Sequence, residues 1–125
     1  MVSWKSKKQN NLVLSTAEAE LSALKSSSAQ LIRMKQLTKE CGMISDVPLI
    51  LCNNHSAISC FKEPVRKSRT KHVDHQHSYI RKLVEEKRIA IEHVGTKNQL
   101  AEMFVKPLNY SKFRTLLMFI EMFDL

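Results

Sequence analysis

Apolar and polar residues alternate along this chain in two periods. Leu49-Ile50-Leu51-Cys52 is a continuous apolar run of strand length, opened by Pro48 and closed by the polar cluster Asn53-Asn54-His55. Leu21, Leu24, Leu31, Met34 and Leu37 recur at helical spacing, with Ala23 and Ser28 between them. Ser15 or Thr16 supplies the N-cap of that helix and Glu18 supports it. Gly42 can take the left-handed conformation that ends it. A short helix is predicted over 54–61, and Pro64 breaks it ahead of a basic loop reaching residue 70. Residues 73–86 form an amphipathic helix with Ile80, Leu83 and Val84 on its apolar side. Residues 88–94 alternate well enough for a strand. After the turn at 95–97, a short helix over 98–104 stops before Pro107, and 113–123 closes the chain as an apolar helix. At the other end, 2–4 and 12–14 read as the two strands of a hairpin around a basic, amide-rich turn. The order is β-β-α-β-α-α-β-α-α, a mixed α/β pattern without internal repeats.

Composition bounds this picture. The 125 residues suffice for one domain with a core, and 43% hydrophobic with 26% charged residues is ordinary for a soluble globular protein. No apolar run is long enough to cross a bilayer, so no membrane partner is expected. The polar, basic N-terminus has no signal-peptide core. Three cysteines without paired spacing fit reduced thiols, so the expected setting is intracellular, cytoplasmic or nuclear.

The net charge of +8 changes the picture more. Basic residues gather near 5–8, 62–71 and 81–88, a distribution suited to a polyanion, of which nucleic acid is the commonest inside cells. His72, His75 and His77 with Asp74 match no structural zinc spacing. Trp4 could stack on a base, but a lone Trp beside a core is more often packed; Phe61 and Tyr79 are core candidates on the same ground.

Five separated segments carry a resemblance. They are Val2-Ser3-Trp4-Lys5-Ser6-Lys7-Lys8-Gln9; Ser15-Thr16-Ala17-Glu18-Ala19-Glu20; Cys52-Asn53-Asn54-His55-Ser56-Ala57-Ile58; Ser68-Arg69-Thr70-Lys71-His72-Val73-Asp74; and Gln99-Leu100-Ala101-Glu102-Met103-Phe104-Val105-Lys106-Pro107-Leu108. In order and spacing they resemble the ribonuclease H domain of copia-type LTR retrotransposon Pol polyproteins. The resemblance implies a single ribonuclease H-like α/β domain over 1–125, a five-stranded mixed sheet with helices on both faces. It also implies Mg²⁺- or Mn²⁺-dependent hydrolysis of the RNA strand of an RNA–DNA hybrid, with clustered carboxylates holding two ions. Glu20 matches one acidic position. Glu102 stands where the family usually has Asp, Asn53 stands where it has a metal-binding Asp, and the first catalytic Asp would lie on a strand upstream of Val2. The chain therefore reads as an N-terminally truncated domain lacking the first, central strand, which an upstream reverse transcriptase segment could supply.

Glu20, Asn53 and Glu102 are the implied catalytic positions, with Glu20 and Glu102 the metal-binding ones. Two Mg²⁺ ions carry four positive charges, and two carboxylates are a poor match for them. Each lost carboxylate is worth on the order of a thousandfold in rate, so hydrolysis is expected to be lost or strongly impaired. Lys7, Lys8, Arg69, Lys71 and His72 are the expected contacts to the nucleic-acid backbone. Two readings stand beside catalysis: a binding module without chemistry, and a remnant that acts through open sheet edges.

Overall fold

The structure is a computed structural model that describes residues 3–6, 8, 15–43, 46–62 and 71–120, with the side chains of 71–74 outside that description. The chain divides into two units: Asn11–Val94, and Met1–Asn10 together with Gly95–Leu125.

In the first unit, α1 spans Thr16–Glu40. Ser15 is its N-cap, and the Ser15 hydroxyl accepts the Glu18 N–H at 3.2 Å, satisfying one of the helix's orphan donors. Leu21, Leu24 and Ser28 are its buried face. Ser28 is fully buried, and its hydroxyl donates to the Leu24 carbonyl at 2.7 Å, so the polar group is satisfied inside the core. At the C-terminus the Met43 N–H reaches the Thr38 carbonyl and the Gly42 N–H reaches that of Lys39, with Gly42 at φ +76°. This is a Schellman closure around a left-handed glycine.

β1 (Leu49–Cys52) pairs in parallel with β2 (Ala90–His93), with Leu49 opposite Ala90 and Cys52 opposite His93. Pro48 has no N–H to give, but its carbonyl accepts from Ala90 at 2.9 Å; at the other end Val94 donates to Cys52. Parallel strands need a crossover, and α2 (His55–Lys62) and α3 (Lys71–Glu85) lie along it. Ile50 and Ile91 pack on a core of Leu21, Leu24, Cys52, Ala57, Ile58, Phe61 and Ile80. Successive strand residues face opposite ways, so Leu49 and Leu51 lie on the other face, where both are exposed. α3 also ends in a Schellman pair, Arg88 to Leu83 and Lys87 to Val84, but its left-handed residue is Lys87 at φ 53°.

α2 is held at its C-terminus by α3. His77 Nδ1 lies 3.0 Å from the Cys60 carbonyl and Arg81 Nε lies 3.0 Å from that of Phe61. A carbonyl only accepts, so His77 carries its proton on Nδ1. The two side chains, one turn apart on α3, satisfy carbonyls that an isolated helix leaves without partners, and the Arg81 charge suits the negative end of the helix dipole.

In the second unit, 3₁₀ turns at Thr96–Asn98 and Leu100–Phe104 precede α4 (Tyr110–Phe119). The Asn109 side chain accepts the Lys112 N–H at 2.9 Å and caps α4. Leu116 is the buried residue of α4.

The elements expected at 15–42, 49–52 and 54–61 form nearly as read. Others differ. α3 starts at Lys71 rather than 73. The helix expected over 98–104 is instead two 3₁₀ turns, Thr96–Asn98 and Leu100–Phe104, with Gln99 between them. α4 starts at Tyr110, three residues before the apolar pattern begins, because Asn109 caps it there. Among the described residues the sheet has two parallel strands rather than the five mixed strands expected. Ser3 and Trp4 are not in a strand, and the other half of the expected hairpin, 12–14, lies outside the described residues, as does the basic loop at 63–70. Phe61 is buried and Tyr79 packs against the core, as expected. Trp4 is not packed away; it is 62% exposed.

Candidate functional site

The C-terminal ends of β1 and β2 bring together Asn53, Asn54, His55 and His93 in the first unit. Ligands of parallel α/β sheets generally bind at this end of the strands. β1 delivers Cys52 to the core, and the chain then turns through Asn53 and Asn54 into α2. The two amides differ in role. Asn54 closes the turn, its side-chain oxygen accepting the Ala57 N–H at 3.0 Å and its backbone carbonyl accepting from Ile58. That is the work of an N-cap. Asn53 is half-buried at the strand end itself.

Glu20 comes to the same place from α1, where it is half-buried. Its effect is visible on a neighbour. Burial pushes the Cys52 thiol above its ordinary pKa; a hydrogen bond with the Asn54 backbone partly opposes this, and the negative charge of Glu20 adds to it. The thiol lies 3.8 Å from the Asn54 carbonyl. Glu20 therefore lies in electrostatic reach of the residue before Asn53.

Sequence reasoning did not find the third component of this end. His55 and His93 stack, with ring centroids 3.5 Å apart and planes 12° from parallel, and both are exposed. The parallel register sets this contact. His93 pairs with Cys52, and His55 opens α2 three residues after Cys52. Nearly parallel rings keep their nitrogen lone pairs in two separate planes, so one ion cannot lie in both. The pair forms an aromatic platform rather than a chelate.

Glu102 belongs to the other unit. It sits on the Leu100–Phe104 turn, 5% exposed, with Lys106 Nζ 3.2 Å from its carboxylate. The buried charge thus has a cation of its own. Among the described residues no group of three or more His, Cys, Asp or Glu side chains is placed to hold a metal ion. The donor set fits two Mg²⁺ ions badly: Glu20 offers one carboxylate, Asn53 an amide without charge, and Glu102 a carboxylate already paired. His77 is engaged with the α2 backbone. Of the expected nucleic-acid contacts, Lys8 is exposed, Lys71 and His72 open α3 with side chains outside the description, and Lys7 and Arg69 lie outside the described residues. Among the described residues no helix is long and apolar enough to cross a membrane.

The chain is similar in sequence to retrovirus-related Pol polyproteins of plant transposons. It is 36% identical over 114 residues to that of transposon RE2 of Arabidopsis thaliana. It is 34% identical over 114 residues to that of transposon RE1 of the same plant, and 31% identical over 112 residues to that of transposon TNT 1-94 of Nicotiana tabacum. Each match covers 90% of this chain and 8% of the polyprotein, so the chain corresponds to a small segment of these relatives. No protein-family profile matches it. No solved structure matches it.

Proposed function

We propose that this chain is a ribonuclease H-like segment of a copia-type Pol polyprotein that binds nucleic acid and has lost most or all of its hydrolytic activity. Kinship with transposon Pol polyproteins over nine-tenths of the chain supports the origin. The five motifs in family order support the domain type, and the net charge of +8 supports nucleic acid as the partner. One observation carries the loss of chemistry: the carboxylates are too few, and one of them is already paired. Asn53 contributes no charge, and Glu102 is already neutralised by Lys106. Mg²⁺ or Mn²⁺ would find in Glu20 a single carboxylate, so no metal-dependent step is assigned to these residues.

The sheet supports a further part of this reading. Among the described residues β1 and β2 make a two-stranded sheet, smaller than the five-stranded one that the resemblance implies. In the proposed assembly a segment of the polyprotein upstream of this one adds to the sheet and completes it.

The test is a gel assay of a labelled RNA–DNA hybrid with Mg²⁺ and then Mn²⁺, beside Asn53→Asp and Glu20→Gln. The expected outcome is a shifted, uncut hybrid whose binding weakens steeply with salt, because contacts to phosphates release counterions. Cleavage by the native chain that disappears in Glu20→Gln would overturn the loss of activity. Absence of any shift at low salt would overturn the binding role.

A further inference from the structure

The second unit holds an aromatic pair that the strand-end site does not use. Trp4 and Phe104 stack with planes 2° apart and centroids 5.7 Å apart. Parallel rings in contact are separated by about 3.5 Å, the carbon–carbon contact distance. A centroid distance of 5.7 Å therefore requires the rings to slide past each other by roughly 4.5 Å. The overlap is partial and much of the indole face stays open. The exposures agree, at 62% for Trp4 and 38% for Phe104. An indole held in orientation by a ring on one edge and open on its face is preorganised to receive another flat, polarisable ring.

The charges around the pair indicate which ring. The described residues of this unit carry Lys5, Lys8, Lys97, Lys106, Lys112 and Arg114 against the single carboxylate of Glu102. That carboxylate is buried and paired with Lys106. Lys5 adjoins Trp4 in the chain, and Lys106, whose ammonium is on Glu102, follows Phe104 by two residues. Open aromatic faces beside basic side chains are the recurrent design of sequence-tolerant single-strand binding.

We propose that the Trp4–Phe104 pair is a stacking platform for a base of single-stranded nucleic acid, with Lys5 and neighbouring lysines on its phosphates. This rests on the nucleic-acid reading above and goes beyond it: bases, not only the backbone, are held, and they are held unpaired. A duplex keeps its bases stacked on each other and offers the indole none.

Trp4 is the only tryptophan in the chain, so its fluorescence reports the site alone. The intact protein is titrated at low salt with a fifteen-residue oligothymidylate, with its ribo-uridylate counterpart and with a blunt RNA–DNA hybrid of the same length. Binding is followed in parallel by anisotropy of an end label. The expected result is strong quenching of Trp4 by both single strands and little by the hybrid. Trp4→Ala should weaken single-strand binding about tenfold or more, whereas Trp4→Phe should hold it within about threefold. If the single strands bind by anisotropy but leave Trp4 unquenched, phosphate contacts alone hold them. The platform is then wrong while the binding function stands. Equal quenching by the hybrid overturns the preference for unpaired bases. No binding of any of the three overturns both readings. The quenching arm uses the native chain, so it does not depend on how the variants fold.

Discussion

Asn54→Ala isolates one of the two amides at the strand end. α2 has eight residues, so its first turn is a large part of it. The substitution removes the 3.0 Å bond from the Ala57 N–H to the Asn54 side chain and leaves that donor without its cap. Cap removals of this kind cost about 0.5–2 kcal/mol. Two features place this one in the upper half of the range. Asn54 is half-buried, so water replaces the lost acceptor poorly, and Ala57, whose N–H is orphaned, is fully buried in the core. The expected loss is therefore about 1–2 kcal/mol, or roughly 4–15 °C in a unit of this size. Asn54→Asp keeps the acceptor and puts a negative charge at the helix N-terminus, a gain of about 0.3–1 kcal/mol in its own right. It should match the native chain or slightly exceed it. Urea unfolding followed by circular dichroism at 222 nm measures both variants. Tryptophan fluorescence would not serve, because Trp4 belongs to the other unit. If Asn54→Ala changes stability by less than about 0.3 kcal/mol, or Asn54→Asp costs as much as Asn54→Ala, then Asn54 is not the cap described.

Three further outcomes follow from the packing and electrostatics. Ile80→Ala empties a fully buried position among α1, α2 and α3 and should cost about 2–5 kcal/mol in the same urea experiment. The two Schellman closures predict opposite signs: Gly42→Ala should destabilise by about 1–2 kcal/mol because φ is +76°, and Lys87→Gly should stabilise by up to about 1 kcal/mol because φ is 53°; a common sign would refute the assignment. The raised Cys52 thiol is protonated in the native chain where the unfolded chain has begun to lose its proton, so its contribution is whole below the ordinary thiol pKa and is lost as pH rises through the higher native one. Glu20→Gln should lower the Cys52 pKa, read by thiolate absorbance in a Cys41→Ser, Cys60→Ser background, and an unchanged titration would remove Glu20 from the strand end.

What could be read in advance was what is local. Ser15 with Glu18, Gly42 and Pro48 each act within a few residues of themselves, and α1 and β1 appear where these signals put them. α4 was missed by three residues because the apolar pattern was followed and the cap offered by Asn109 was not. The candidate site was legible as a list of positions and not as an arrangement. Lys106 stands four residues after Glu102, the spacing of an ion pair along a helical turn, and that signal was there to read; the burial of the carboxylate was not. The His55–His93 stack joins residues 38 apart and exists only because the strands run parallel with Cys52 opposite His93. Trp4 was expected inside because large aromatic rings bury large areas. It stays exposed beside Phe104, a contact between opposite ends of the chain that neither end encodes alone.

The clasp of His77 and Arg81 on the end of α2 has a consequence in time. Eight residues are too few for a helix to persist alone. With its last carbonyls held by α3, α2 should not fray independently; it opens when the helix pair opens. Asn53 and Asn54 lie between that helix and β1. In hydrogen exchange this connecting segment, which its half-exposure would mark as an early opener, should exchange on the slow schedule of the core around it.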